Sequence, residues 1–258
     1  MKFLTLTLSV LIFTTAHSYA QTTEFPDAIP IETIQKNKFD GVCYQDVRRF
    51  PKTGTPKNST SFFISKNYLL TSAHNVTKLP FHSVRRMTIF PSRIGDVKHL
   101  DSIQLKIKYK RNIRYPKQYS YYKGKSHNAY DIALIYIPDE IIDTNEKLES
   151  IPYLPLVEDG MEIKEGEYVY CVGYPAQDTY SEKYLMTLDS SKVIKVHQRY
   201  FEHRLETLRG NSGSPILIKR NNKFYVVGVN SMRHHGTLIH ADRKRIIELW
   251  KKELNESY

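Results

Sequence analysis

Three short motifs carry the residues that could do chemistry. RGNSGSP places Ser212 between two glycines, LLTSAHNV places His74 just after an apolar run, and NAYDIALIYI places Asp131 at the head of another. A serine hydroxyl is a weak nucleophile, so it needs a base to take its proton and a third group to hold that base in the right tautomer. The three motifs together predict nucleophilic catalysis by a serine, a histidine and an aspartate.

Each motif alone is weak evidence, because a glycine-rich turn, a core histidine and a turn-forming aspartate are all common. Their order is more informative. Asp131 follows His74 by 131 − 74 = 57 residues, and Ser212 follows Asp131 by 212 − 131 = 81 residues. An alpha/beta-hydrolase would place the serine first and would need glycine where Ser214 stands. The order therefore excludes that class.

TSAH resembles the TAAH motif of the chymotrypsin-like serine proteases, DIAL resembles their aspartate motif, and GNSGSP resembles their GDSGGP. The resemblance covers roughly residues 40–255. It implies an all-β fold of two six-stranded β-barrels with a C-terminal helix, and an active site in the cleft between the barrels. It also implies an endopeptidase that acts on protein or peptide substrates through an acyl-enzyme intermediate and needs no cofactor.

The resemblance assigns a role to each residue. Ser212 attacks the scissile carbonyl, His74 acts as base and then as acid, and Asp131 orients His74. The backbone N–H groups of Gly210 and Ser212 form the oxyanion hole. Asn211 replaces the aspartate that pairs with a new N-terminus in animal digestive enzymes, so activation through that ion pair is not expected. GNSGSP is instead similar to the bacterial glutamyl-endopeptidase branch.

The substrate preference stays open between alternatives. Thr207 matches a threonine that grips acidic substrate side chains in the glutamyl branch, but Asn230 stands where that branch has a histidine. Glu206 occupies the position where trypsin-like enzymes bind lysine or arginine, unless Arg209 or Arg233 neutralises it. We take Glu206, Thr207 and Asn230 as the candidate substrate-binding residues.

The elements around the motifs are mostly short β-branched and aromatic runs between turn signals, which predicts strands. Only ADRKRIIELWKKEL has helical periodicity. We expect an N-terminal barrel over residues 41–145, a C-terminal barrel over 146–238 and a helix over 239–258. The basic segment 104–118 alternates apolar residues and lysines, which predicts a strand with one solvated face rather than a specific nucleic-acid groove.

Residues 1–20 have the pattern of a secretory signal: a lysine, a short apolar run and small residues before the predicted cleavage site. Residues 21–40 would then be a propeptide or an N-terminal arm. No later stretch is long enough for a transmembrane helix. These features predict a secreted or periplasmic protein.

In an oxidising compartment Cys43 and Cys171 either form a disulfide or remain separate buried thiols. No metal site is expected, since neither the histidines nor the cysteines have metal-ligand spacing. The formal net charge of +11 supports one alternative function. It is a catalytically silent protease-fold module that binds anionic partners. The oligomeric state is left open.

Overall fold

The computed structural model describes residues 38–50, 57–77, 83–93, 95, 102–119, 126–144, 146–176 and 184–256. The predicted signal peptide and nearly all of the predicted segment 21–40 lie outside these residues. None of the described helices is both long enough and apolar enough to cross a membrane.

The described residues form thirteen strands and six helices. The strands are β1 (Val42–Phe50), β2 (Lys57–Ser65), β3 (Tyr68–Thr71), β4 (Ser83–Pro91), β5 (Ile103–Lys106), β6 (Ile113–Arg114), β7 (Ala133–Tyr136), β8 (Tyr168–Gly173), β9 (Thr187–Val196), β10 (Tyr200–His203), β11 (Pro215–Arg220), β12 (Lys223–Met232) and β13 (His235–Leu238). The helices are α1 (Ala73–Val76), α2 (Tyr109–Asn112), α3 (Ser126–Tyr130), α4 (Asp139–Ile142), α5 (Glu146–Glu149) and α6 (Ala241–Asn255).

The strands form two sheets, one in each half of the chain. The first is a seven-stranded sheet with the order β5-β4-β1-β2-β3-β7-β6, and the second is a closed barrel with the order β10-β13-β12-β11-β8-β9. The predicted all-β, trypsin-like fold with a C-terminal helix is confirmed. The prediction of two six-stranded barrels is corrected in the first half. Over the described residues this sheet is an open half-barrel, and it has seven strands because the two-residue strand β6 adds to the edge of β7.

The two halves share a hydrophobic core, and this explains the continuous apolar runs in the middle strands of the first sheet. Leu70 and Leu134 belong to a cluster that also contains residues of the barrel, whereas Leu69 and Ile135 face a second cluster within the first half. A strand buried on both faces cannot alternate apolar and polar residues. The strands that lead to the His74 and Asp131 motifs are therefore held from both sides.

The basic segment is only partly as predicted. Leu105 and Ile107 are buried while Lys106 and Lys108 are exposed, so the alternation is confirmed over these residues. The strand does not continue, however. Strand β5 ends at Lys106, where its pairing with β4 stops, and α2 begins at Tyr109.

Both cysteines are free and buried. Burial raises the pKa of the Cys171 thiol to about 12 and raises that of Cys43 as well. Of the two alternatives, a disulfide or separate thiols, the structure therefore shows two separate core thiols.

Helix α6 covers the end of the shared core. Ile247, Trp250 and Leu254 are buried, as the predicted periodicity requires. The Tyr68 hydroxyl of β3 donates a hydrogen bond to the Lys251 carbonyl at 3.0 Å. The helix thus ties the C-terminus to the first sheet.

We expect Leu254→Ala to lower the free energy of unfolding by about 2–5 kcal/mol, because it removes a fully buried side chain from the shared core. Urea titration measures the change. Leu249→Ala is the matched control on the same helix: Leu249 is 60% exposed, and its loss should cost less than about 0.5 kcal/mol. Equal losses in the two variants would contradict the packing of this helix.

Candidate active site

The carboxylate of Asp131 lies at the centre of the candidate site and has no solvent exposure. Its Oδ1 accepts a hydrogen bond from the His74 backbone N–H at 2.9 Å, and its Oδ2 lies 2.7 Å from His74 Nδ1. The Ser231 hydroxyl donates to the same Oδ2 at 2.5 Å. A buried carboxylate is costly unless hydrogen bonds replace its water. These three contacts supply them.

The loop that carries Asp131 is fixed by the C-terminal half of the chain. The Thr237 hydroxyl of β13 lies 2.7 Å from the Asn128 carbonyl and 3.3 Å from that of Asp131. Arg243 of α6 is buried and donates to the Ala129 carbonyl at 2.7 Å. The aspartate therefore belongs to the first half in sequence but is positioned by the second.

His74 lies on α1, the short helix that follows β3. Ser72, just before this helix, donates from its hydroxyl to the Asn230 carbonyl of β12 at 2.7 Å. The His74 side chain is 20% exposed, and its Nδ1 faces Asp131. This orientation leaves Nε2 as the ring atom that can exchange a proton with a nucleophile or substrate.

Ser212 lies in a loop whose shape requires glycine on both sides. Gly210 has φ +94° and Gly213 has φ +90°, in the region that disfavours other residues. A Cβ at Gly210 would lie 2.4 Å from the Tyr174 carbonyl oxygen, and one at Gly213 would lie 2.1 Å from that of Thr60. The glycines let the backbone approach its neighbours closely enough to hold Ser212 in place.

The carbonyls of this loop are bound by residues of the first half. The Thr60 N–H donates to the Ser212 carbonyl at 2.9 Å, and the Thr60 hydroxyl donates to the Gly210 carbonyl at 2.9 Å. Asn75, next to His74, adds its Nδ2 to the Ser212 carbonyl at 3.0 Å. The nucleophile loop is therefore anchored to the strands and helix that carry the histidine.

Across the described ranges, the backbone N–H groups of Gly210 and Ser212 donate to no other residue. Gly210 is buried and Ser212 is half-buried. Two unused backbone donors beside a serine hydroxyl are what a developing oxyanion requires.

The predicted substrate-binding residues differ in their surroundings. Thr207 and Asn230 are buried, and the Asn230 amide donates to the Asn211 carbonyl at 2.9 Å. Glu206 is exposed, and its backbone N–H donates to Asp189 Oδ2 at 2.8 Å. Burial raises the pKa of the Asp189 carboxyl above its ordinary range, and the charge of Glu206 acts in the same direction. The Asp189 carboxylate thus lies against the backbone of Glu206, four residues before Gly210 in the chain.

The sequence prediction missed three residues that orient the candidate triad: Thr60, Asn75 and Ser231. Thr60 binds Gly210, which is 150 residues away in sequence, and Ser231 binds Asp131, which is 100 residues away. No local sequence pattern therefore marks either residue. Asn75 stands beside His74, where Asn-Val-Thr matches a glycosylation sequon. Its Nδ2, the atom that would carry a sugar, donates instead to Thr71 Oγ1 and to the Ser212 carbonyl, both at 3.0 Å.

His203 of β10 is a buried histidine outside the candidate triad. Its Nδ1 accepts a hydrogen bond from the Leu205 N–H at 3.2 Å, which places the ring proton on Nε2. Burial lowers the pKa of His203 to about 3, and the positive charges that His234 and His235 can carry act in the same direction. The residue is therefore a neutral core histidine near pH 7.

The fold and the buried Asp131–His74 pair beside a glycine-bounded serine define the class of trypsin-fold proteins. A family model described as "Trypsin-like peptidase domain" matches residues 59–229, and the chain belongs to this family. The match supports a serine protease.

Two solved structures show the same fold at low sequence identity. A Glu endopeptidase is similar with a TM-score of 0.62 and 17% identity, over 83% of this chain and 92% of its own. An inactivated protease paralogue of the scabies mite is similar with a TM-score of 0.59 and 15% identity, over 83% of this chain and 95% of its own.

We expect the free energy of unfolding to decrease as the pH falls from about 6.5 towards 3, in part because of His203. In this window the unfolded chain binds a proton at His203 that the folded chain excludes. His203→Gln should therefore reduce the slope of the free energy of unfolding against pH by at most about 1.4 kcal/mol per pH unit. Urea titrations of both proteins between pH 8 and pH 4 measure it. Parallel curves would show that His203 is not kept neutral by the fold.

Proposed function

We propose that this chain is a serine endopeptidase that uses His74, Asp131 and Ser212 as its catalytic triad. The observation that carries the proposal is the buried Asp131 carboxylate, which binds both the backbone and the imidazole of His74. Such a contact holds the ring in one orientation and stabilises the imidazolium that forms when a proton is taken up. The anchoring of the Ser212 carbonyl to Thr60 and Asn75 also supports it.

In this mechanism the Ser212 oxygen attacks the carbonyl carbon of the scissile bond while His74 Nε2 takes the hydroxyl proton. The N–H groups of Gly210 and Ser212 bind the oxyanion of the tetrahedral intermediate. Collapse of this intermediate releases the amine, which takes its proton from His74, and leaves an acyl-enzyme. Water then attacks the ester by the same route, and the acid product and the free Ser212 hydroxyl are regenerated.

Ser212→Ala should lower kcat for peptide hydrolysis by at least about 10⁴-fold, because it removes the attacking oxygen. It should also abolish labelling by a serine-directed phosphonate, which mass spectrometry would locate at Ser212 in the wild-type protein. Ser102→Ala, an exposed serine outside the site, is the control and should be labelled like the wild type.

The alternative function is a catalytically silent module that binds anionic partners, for which the net charge of +11 is suited. A wild-type protein that is neither labelled by the phosphonate nor able to cleave peptides would favour this alternative. Unchanged hydrolysis after the loss of Ser212 would instead refute the role of Ser212 as the nucleophile.

The charges near the nucleophile loop support a preference for basic substrate side chains. The Asp189 carboxylate accepts from the backbone of Glu206, whose own carboxylate belongs to an exposed residue, while Asn230 has no charge and its amide is used by Asn211. In the described part of the chain, neither Arg209 nor Arg233 forms an ion pair with Glu206. We therefore propose lysine or arginine, rather than glutamate, on the acyl side of the scissile bond.

A peptide-library profile should be enriched in lysine and arginine at the residue that provides the scissile carbonyl. Glu206→Gln should reduce this enrichment, because it removes one of the two carboxylates. Glu158→Gln removes an exposed carboxylate remote from the loop and should leave the profile unchanged. Cleavage mainly after glutamate would refute the basic preference and favour the glutamyl branch.

We also propose that the protein is exported, to a periplasm or out of the cell, after removal of residues 1–20. The lysine, the apolar run and the small residues before Gln21 support this.

A further inference from the structure

The last carbonyls of a helix have no partner within the helix and need other donors. This requirement is acute in α1, which has four residues and carries His74. The Thr77 N–H donates to the Ala73 carbonyl at 2.8 Å, which satisfies one group. The carbonyls of His74, Asn75 and Thr77 remain at the end of the helix.

One side chain, Arg49 of β1, binds all three of these carbonyls. Its Nη1 donates to the Thr77 carbonyl at 2.8 Å, and its Nη2 donates to the carbonyls of His74 and Asn75 at 3.0 and 3.1 Å. Hydrogen bonds from a charged donor are about twice as strong as those between neutral groups. A guanidinium is also planar and forked, so it can hold several acceptors at once in a fixed geometry.

Strand alternation directs Arg49 towards this helix. In β1, Val47 is buried and Arg49 is half-buried, whereas Arg48 and Phe50 are exposed to solvent. The pairing of β1 with β4 shifts register between Arg48 and Arg49, where Arg85 of β4 is skipped, so the extra residue of this irregularity belongs to β4.

The same helix connects the base to the nucleophile. Arg49 holds the Asn75 carbonyl, and the Asn75 amide in turn donates to the Ser212 carbonyl at 3.0 Å. The backbone N–H of His74 donates to Asp131 at 2.9 Å. A rotation of the helix would therefore disturb the His74–Asp131 contact and the Ser212 anchor together.

We propose that Arg49 is a positioning residue for the catalytic triad, acting through the backbone of α1. Its hydrogen bonds to α1 are made to backbone carbonyls. It holds His74 aligned with Asp131 and holds Asn75 against the Ser212 carbonyl. This inference rests on the proposed protease function, but the alignment of His74 can be measured without activity.

The test compares Arg49→Gln and Arg49→Lys with Arg48→Gln, which removes the same charge from the adjacent, exposed position. Displacement of a catalytic group by about 1 Å can cost about a hundredfold in rate. We expect Arg49→Gln to lower kcat about 10- to 100-fold with KM changed less than about twofold. Phosphonate labelling should slow in parallel. Arg49→Lys keeps the charge but not the fork, so it should recover only part of kcat. Arg48→Gln should match the wild type.

A second measurement reports alignment directly. The proton between His74 Nδ1 and Asp131 should give a far-downfield proton NMR signal in the wild type and in Arg48→Gln. The signal should broaden or disappear in Arg49→Gln. If that variant fails to fold by urea titration, Arg49→Lys serves for both measurements, with a smaller effect expected in each.

Wild-type kcat together with an unchanged downfield signal in Arg49→Lys and in any folded Arg49→Gln would overturn the proposal. So would equal losses in the Arg49 and Arg48 variants, since the effect would then be one of charge alone. If the wild type proves inactive and unlabelled, the protease function fails. The NMR comparison still decides whether Arg49 aligns His74.

Discussion

A carboxylate without solvent exposure destabilises a fold by several kcal/mol unless hydrogen bonds replace its water. Asp131 is such a group, and its oxygens accept from the backbone of His74, from the His74 ring and from Ser231. These donors come from two halves of the chain that are otherwise separate sheets. The fold is stable around Asp131 only when the halves meet in the orientation that aligns the histidine.

The other contacts between the halves support the same arrangement. Ser72 donates to the Asn230 carbonyl, Thr60 donates to the carbonyls of Ser212 and Gly210, and Thr237 donates to that of Asn128. Each bond satisfies a polar group at a place where the shared hydrophobic core excludes water. The apolar cluster supplies the attraction between the halves, and the hydrogen bonds select one alignment of them.

Much of this structure could be predicted from local patterns, and the rest depends on long-range contacts. The residues that define the GNSGSP and TSAH motifs lie within a few positions of each other, so Ser212 and His74 could be predicted as candidate catalytic residues. Ser231 could not, because it acts on Asp131 from 100 residues away. The predicted strand in the basic segment was too long because alternation continues to Tyr109, whereas the pairing that defines a strand ends at Lys106.

The two glycines beside Ser212 show why a short motif can be so informative. At Gly210 and Gly213 the backbone has positive φ, and a neighbouring carbonyl oxygen occupies the space of a side chain. Either condition alone disfavours a residue with a side chain. Both together exclude such a residue unless the first sheet or Tyr174 shifts. Because Thr60 both contacts Gly213 and binds the Ser212 carbonyl, the glycines permit the anchor that holds the nucleophile. The glycines of the motif are thus required by a contact between two parts of the chain that are distant in sequence.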